Sequence, residues 1–203
     1  MSCERFLTLA KYPETSAKDV ISEGRSFVRG ENGVTFVNRR KRRVKVQAER
    51  AEPYKTCEAH AEGVAPEVFS AFVTSDGATV FEMENFEMGT LEHFLLGSTQ
   101  NTDVDKAVDA ALVELFYAFS KPIDKDYDCH EDLHWGNIAL RRRADGKIEA
   151  KAIDWGMSKI VDKSSDCNIS AFSSLYPEIG GYRKRLPNFY EELHKHEDTF
   201  YKF

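Results

Sequence analysis

The chain has 203 residues, of which 41% are hydrophobic and 12% aromatic, and its formal net charge at pH 7 is -6. This length allows one well-packed domain but not two full-sized ones, and no apolar run reaches the roughly 18 residues of a membrane span. The acidic balance disfavours nucleic acid as a partner, because binding to phosphates requires a basic surface.

The first third of the chain is predicted to form strands. Short segments rich in Val, Ile, Phe and Thr are separated by glycine and polar turns at residues 21–28, 33–37 and 43–47. They predict a small antiparallel sheet. The basic run 39–43 lies between the second and third of these strands. We interpret it as a solvated hairpin tip, with a patch for phosphate or an acidic partner as the alternative.

A short helix is predicted after this sheet, because Pro53 suits a first helical turn and Gly63 suits a helix end. One face of this helix has helical spacing and looks buried; it carries Tyr54, Cys57, Glu58 and Ala61. A carboxylate on a buried face requires a cationic partner. Glu58 is therefore predicted to pair with a lysine or arginine.

Two further strands, 68–74 and 78–83, are predicted to form a hairpin through the turn residues Asp76 and Gly77. Helical sequence begins near Gly89. Thr102 can cap a long helix with the apolar positions Val104, Ala107, Val108, Ala111, Leu112, Leu115, Phe116 and Phe119. After a loop at 127–137, a second hairpin is predicted with its turn at Asp145 and Gly146.

The loop and the hairpin that follows it carry residues suited to phosphoryl transfer. Asp132 and Asn137 are separated by four residues, and Asp154 follows Asn137 by 17 positions. Phosphoryl transfer uses one carboxylate to orient the attacking hydroxyl, and a second carboxylate with an amide oxygen to hold Mg²⁺. The spacing and residue types therefore predict a phosphotransferase site.

Residues 130–138 and 153–156 resemble the catalytic loop and the Asp-Phe-Gly motif of protein kinases. The loop is closest to that of haspin-type kinases, and is also similar to the aminoglycoside phosphotransferase, choline kinase and lipopolysaccharide kinase groups. The resemblance implies an α+β, bilobal protein-kinase-like fold that binds ATP and Mg²⁺. It makes Asp132 the catalytic base, and Asn137 and Asp154 the metal ligands. His134 stands where many kinases have a phosphate-contacting lysine, with a structural hydrogen bond as the alternative.

The resemblance also implies a strand lysine paired with a helix carboxylate, which together position the α and β phosphates of ATP. Lys45 is the candidate lysine, since an apolar residue flanks it on each side. Glu58 is the preferred carboxylate because of its predicted buried face. The competing carboxylates are Glu49, Glu52 and Glu62.

Residues 83–91 resemble the hinge between kinase lobes. Met83 then takes the gatekeeper position, and backbone groups of Glu84 and Phe86 contact the adenine. The implied organisation is one domain over 1–203, with an N-lobe of strands and one helix at about 1–85, a hinge at about 84–89 and a reduced, mostly helical C-lobe at about 90–203.

Three features depart from the family pattern. The stretch 24–30 has glycines without the spacing of a phosphate-covering loop, so simple turn glycines are the alternative. Glu131 replaces an arginine that reads activation-segment phosphorylation, so we expect activity without that modification. Only 47 residues follow Gly156, with Pro177 and Glu178 resembling the end of an activation segment. The resemblance therefore implies a minimal, C-terminally truncated enzyme, of the kind expected from a virus.

The leading functional prediction is a serine/threonine protein kinase that transfers the γ-phosphate of Mg-ATP to a protein hydroxyl. The alternatives are a phosphotransferase acting on a small-molecule alcohol, and a nucleotide-binding pseudokinase that acts by binding a partner. Cys3, Cys57, Cys129 and Cys167 are scattered, without a Cys-x-x-Cys pair. We therefore expect reduced thiols in a soluble intracellular protein, in the cytoplasm or nucleus and, for a viral enzyme, in the host cell.

Overall fold

The structure is a computed structural model that describes residues 2–30, 33–97, 101–120, 127–161 and 171–200. It has a mixed α+β architecture and divides into two compact units. Unit 1 comprises Met1–Ala61 and Ala65–Asn85, and unit 2 comprises Glu62–Val64 and Phe86–Phe203. The division after Asn85 falls inside the stretch predicted as a hinge.

Unit 1 contains a six-stranded sheet with the order β1-β5-β6-β4-β3-β2. Its strands are β1 Ala10–Lys11, β2 Arg25–Gly30, β3 Gly33–Val37, β4 Arg43–Gln47, β5 Val68–Val73 and β6 Thr79–Met83. Only β1 pairs in parallel, with β5; the remaining neighbours are antiparallel. The predicted turn at Asp76 and Gly77 joins β5 to β6, with Gly77 at φ 86°. The central strands and this hairpin are confirmed.

Two helices and a 3-10 helix accompany this sheet: Cys3–Phe6, α1 Ala17–Ser22 and α2 Glu52–Ala61. The strand predicted to begin at residue 21 is wrong there, because Ile21 belongs to α1. Ser16 and Asp19 form a capping box that starts this helix. The predicted helix after Pro53 is confirmed as α2, and Gly63 follows it at φ 79°.

The two faces of the sheet bury different clusters of side chains. One cluster contains Cys3, Phe6, Cys57, Val68, Phe81 and Met83. The other contains Phe36, Val44, Val46 and Val80, with Val20 and Ile21 of α1 packed against it. Lys45 pairs in register with Phe81, whereas its neighbours Val44 and Val46 belong to the second cluster. Because side chains alternate along a strand, Lys45 faces the side of the sheet that carries Cys57 of α2.

The prediction of reduced cysteines is wrong. Cys3 and Cys57 form a disulfide that joins the 3-10 helix to α2, and Cys129 is also disulfide-bonded. Cys167 lies outside the described residues. The sequence could not indicate the first pairing because 54 positions separate the two cysteines. Packing of the 3-10 helix on α2 brings their Cα atoms to 5.6 Å, within disulfide range.

Unit 2 combines two small sheets with several helices. Its strands are β7 Gly89–Thr90, β8 Tyr127–Cys129, β9 Ile138–Arg142, β10 Ile148–Ala152 and β11 Lys159–Val161. They form a three-stranded sheet, β10-β9-β7, and a two-stranded sheet, β11-β8. The helices are α3 Leu91–Leu96, α4 Thr102–Phe119, α5 Leu175–Gly180, α6 Pro187–Lys195 and α7 Glu197–Phe200. The turn of the β9–β10 hairpin contains Gly146 at φ 84°, as predicted for Asp145 and Gly146.

Helix α4 is confirmed, but its cap and its buried face differ from the prediction. Asn101, rather than Thr102, caps it by accepting hydrogen bonds from the amides of Asp103 and Val104. Two carboxylates, Asp105 and Asp109, are buried on this helix beside its apolar residues. Within the described ranges, no helix combines the length and apolarity needed to span a bilayer.

Candidate functional site

Lys45 and Glu52 form a buried ion pair in unit 1. The Nζ atom of Lys45 lies 2.8 Å from both Oε1 and Oε2 of Glu52. Lys45 is 7% exposed and Glu52 is 1% exposed. Removal of either charge would leave the other in a site of low polarity, so the two groups depend on each other. Strand β4 and the first residue of α2 therefore present a fixed ammonium group.

The prediction that Glu58 pairs with Lys45 is wrong, because Glu52 occupies that position. Glu58 is only half-buried, six residues further along α2. Helical periodicity identifies a buried face along the middle of α2, whereas the partner of Lys45 is the first residue of this helix. The connection from β4 is short, since Glu52 follows Lys45 by only seven positions, so the start of α2 lies beside the strand.

The predicted catalytic loop is held together by Asn137. Its side-chain Nδ2 donates a hydrogen bond of 2.9 Å to the carbonyl oxygen of Asp132. Its own backbone carbonyl accepts a hydrogen bond of 2.8 Å from the amide of Ile153. Asn137 is buried, whereas Asp132 is exposed. Asn137 is thus bonded both to Asp132 and to the residue that precedes Asp154.

Asp154 has a left-handed backbone, with φ 64° and ψ 59°. Non-glycine residues seldom adopt this conformation, and those that do cluster at functional sites. Trp155 follows as a buried residue whose Nε1 donates to the carbonyl of Ala152 at 3.0 Å. This bond closes the turn around Asp154 and fixes where its carboxylate leaves the backbone.

His130 is part of this arrangement, although sequence reasoning assigned it no role. It is 2% exposed, its Nε2 lies 2.8 Å from the carbonyl oxygen of Ile153, and its ring packs against Trp155. Burial lowers the pKa of His130, so the ring is neutral and donates to that carbonyl. The sequence feature that could have identified His130 is its position two residues before Asp132. His130 acts as a brace between the loop and the Asp154 turn.

His134 makes the structural hydrogen bond that was one of its two predicted roles. Its Nδ1 accepts a hydrogen bond of 3.1 Å from the amide of Gly136. A Cβ at Gly136 would lie 2.7 Å from Cε1 of His134, so a larger residue would displace the imidazole ring. Contact between His134 and a phosphate stays a prediction.

The predicted hinge residues are engaged in their own units. Met83 is buried in the cluster that contains the Cys3–Cys57 disulfide. The amide of Glu84 donates to the carbonyl of Glu67 at 2.9 Å, and the carbonyl of Phe86 accepts from the amide of Gly89 at 3.2 Å. Adenine contact by Glu84 and Phe86 stays a prediction.

Two of the three departures from the family pattern have local structural explanations. Residues 25–30 form β2 rather than a loop, and a Cβ at Gly24 would lie 2.3 Å from the ring of Phe36. Close packing accounts for this glycine, and a phosphate-covering role for the stretch stays a prediction. Glu131 pairs with Lys159, with 2.8 Å between Oε2 and Nζ. The position before Asp132 therefore carries an anion with a local partner.

No group of three or more His, Cys, Asp or Glu side chains in the described part of the chain is arranged to hold a metal. Mg²⁺ that accompanies a nucleotide needs only one or two protein ligands, since phosphates and water supply the others. Asn137 and Asp154 offer the hard oxygen ligands that Mg²⁺ prefers, so the residues present fit this ion.

No family model matches the chain, and no curated protein matches it. The indications of function therefore come from two groups of residues. One is the Lys45–Glu52 ion pair, and the other contains Asp132, Asn137 and Asp154.

Proposed function

We propose that this protein is an ATP-dependent phosphotransferase with a protein-kinase-like bilobal fold, acting as a minimal serine/threonine protein kinase. The observation that carries the proposal is the double attachment of Asn137. Its amide bonds to Asp132, and its backbone bonds to the residue before Asp154. A base and two oxygen ligands are thereby fixed in one motif, and phosphoryl transfer depends mainly on such positioning.

Asp132 is the catalytic base in this proposal. Its carboxylate is exposed, so an acceptor hydroxyl can reach it, orient on it and transfer its proton to it. Asn137 and Asp154 hold Mg²⁺ through their side-chain oxygens. When bound, the ion neutralises negative charge on the nucleotide phosphates.

Lys45 binds the α and β phosphates, and Glu52 acts as a positioning residue for it. The carboxylate contacts Nζ through both oxygens at 2.8 Å, which restricts the ammonium group to one place. A fixed ammonium needs little reorganisation when phosphate binds, so more of the binding energy remains available. Burial of a charged lysine is costly, and a nucleotide-binding role would explain why the chain has one at this position.

The proposal is tested by transfer of label from γ-labelled ATP in the presence of Mg²⁺, with general protein substrates and small alcohols as separate acceptors. We expect label on protein, and we expect Asp132→Asn to lower the rate by about 10²-fold or more. Glu131→Gln is the matched control. It removes the neighbouring carboxylate, which pairs with Lys159, and should leave the rate within about threefold of the unchanged protein.

The outcomes separate the candidate functions. Label on small alcohols alone would replace the protein acceptor with a small-molecule acceptor. Magnesium-dependent ATP binding without any transfer would indicate a binding protein rather than an enzyme. Transfer that continues unchanged in Asp132→Asn would overturn the assigned mechanism.

A further inference from the structure

The turn between β3 and β4 is a well-ordered element of unit 1. The side chain of Asn38 accepts hydrogen bonds from the amides of Arg40 and Arg42, at 2.9 and 3.1 Å. Its Nδ2 donates to Glu82 at 2.8 Å. Backbone bonds between Asn38 and Lys41 and between Asn38 and Arg42 complete a three-residue hairpin loop.

The residues of the basic run in this turn differ in their contacts: Arg42 packs against unit 1, and the three residues before it are exposed to solvent. Arg42 pairs with Glu82 at 3.1 Å, and its guanidinium lies over the ring of Phe69. Arg39, Arg40 and Lys41 are exposed, and their side chains make no hydrogen bond or ion pair with the described residues. We call these three residues the basic tip.

The backbone of Lys41 indicates that the basic tip is more than a solvated turn. Lys41 has φ 59°, in the left-handed region that the last residue of such a loop requires. Glycine or asparagine meets this requirement at lower cost. The chain instead has a third consecutive cation at this position, which concentrates positive charge at the expense of backbone stability.

We propose that the basic tip docks an acidic peptide segment of a protein partner. Three consecutive residues span only about 10 Å, which matches a few carboxylate or phosphoserine side chains. Arginine binds such groups through two parallel hydrogen bonds. The chain as a whole is acidic, with a net charge of -6 even when the basic tip is included, and would repel the extended charge of a nucleic acid beyond this turn. A short acidic segment would contact the three cations without extending its negative charge over the acidic surface around them.

The test uses fluorescence anisotropy with the full chain and labelled peptides of about eight residues. One peptide contains glutamate and serine, a second has phosphoserine at the serines, and a third has glutamine in place of glutamate. Single-stranded oligothymidylate with the charge of the first peptide is the fourth probe. We expect both acidic peptides to bind, the glutamine peptide not to bind, and the affinity to fall as salt rises from about 50 to 200 mM.

The deciding variant is Arg39→Gln/Arg40→Gln/Lys41→Gly, in which glycine also suits the left-handed position, so the hairpin should persist in a melting curve. We expect acidic-peptide binding to weaken about tenfold or more. The control Arg183→Gln/Lys184→Gln removes two exposed cations from unit 2 and should change binding less than about twofold.

Equal binding by the deciding variant and the unchanged protein overturns the proposal, as does failure of both acidic peptides to bind at the lowest salt. Tighter binding of oligothymidylate than of either peptide would assign the basic tip to nucleic acid instead. Preference between the glutamate and phosphoserine peptides identifies which acidic group the partner carries.

Discussion

At the scale of single residues, the central feature is the ammonium of Lys45 and the carboxylate that holds it. Both groups are almost fully buried, and Glu52 contacts Lys45 through both carboxylate oxygens. A buried pair adds little net stability over apolar residues, but loss of one partner is costly because the other charge stays behind. Replacement of Glu52 and of Glu58 in separate variants therefore tests which of the two carboxylates pairs with Lys45.

We expect Glu52→Gln to lower the free energy of unfolding by about 3 kcal/mol, because the Lys45 ammonium loses the carboxylate that contacts it through both oxygens. Glu58→Gln, on the same helix and only half-buried, should cost less than about 1 kcal/mol. Urea unfolding measures both. Equal losses in the two variants would contradict the assigned pairing.

At Asp154, a substitution that relieves backbone strain also removes the proposed magnesium ligand. Its left-handed backbone costs on the order of 1 kcal/mol, which glycine would not incur. Asp154→Gly should therefore melt at a higher temperature than a variant that keeps this strain, and it should abolish label transfer because it removes the proposed magnesium ligand. Asp154→Ala is the comparison: it removes the same carboxylate but keeps the strained backbone. A lower melting temperature for Asp154→Gly than for Asp154→Ala would refute this account.

At the scale of elements, two buried carboxylates on α4 organise the C-terminal part of unit 2. Asp105 accepts from Nε and one terminal nitrogen of Arg185 at 2.8 to 3.2 Å. Asp109 accepts from the amides of Asn188 and Phe189 and from the Asn188 side chain. These amides begin α6, so Asp109 supplies a helix cap from a distant part of the chain.

We expect Asp109→Ala to lower the free energy of unfolding by about 2–4 kcal/mol, since it leaves the buried amide of Phe189 without an acceptor. Asp103→Ala, an exposed change in the first turn of the same helix, should cost less than about 1 kcal/mol. Chemical unfolding of both variants provides the comparison. If Asp109→Ala is no more destabilised than Asp103→Ala, the capping role is incorrect.

Local signals in the sequence predicted most elements. Turn pairs such as Asp76–Gly77 and the helix limits Pro53 and Gly63 act over a few residues, so a single chain reveals them. Helix α1 was missed because it is short and its β-branched Val20 and Ile21 resemble a strand. The capping box of Ser16 and Asp19 determines its start.

Parts of the site depend on contacts that no local pattern encodes. Asp132, Asn137 and Asp154 were predicted as site residues from their spacing along the chain, and their roles stay predictions. Glu52 was passed over because its burial comes from the approach of β4, not from helical periodicity. For the same reason, Asp109 could not be identified as a cap for residues 79 and 80 positions away.

At the scale of the whole molecule, the Cys3–Cys57 disulfide links the start of the chain to α2. Both cysteines are buried with Phe6, Phe81 and Met83, so the link lies inside a core rather than on a surface. The helix that it braces also begins with Glu52. The N-terminal segment is therefore coupled to the element that holds Lys45.

We expect Cys3→Ala/Cys57→Ala to lower the free energy of unfolding by about 4 kcal/mol, the chain-entropy value for a closed loop of 54 residues. Thermal melting measures the loss. Leu7→Ala, an exposed change beside the same 3-10 helix, should cost less than about 0.5 kcal/mol. Unchanged melting of the double variant would show that the two cysteines are not joined.

Residues Glu62–Val64 belong to unit 2 although unit 1 flanks them on both sides. The carbonyl of Val64 accepts from the amide of Ala152 at 2.8 Å, and the carbonyl of Gly63 accepts from Nζ of Lys151. A ribosome thus releases Gly63 and Val64 88 positions before their partners on β10. If the chain were expressed as two fragments divided between Asn85 and Phe86, Glu62–Val64 would be part of the first fragment, although they belong to unit 2. Two such fragments would have to associate before Gly63 and Val64 could form their hydrogen bonds with β10.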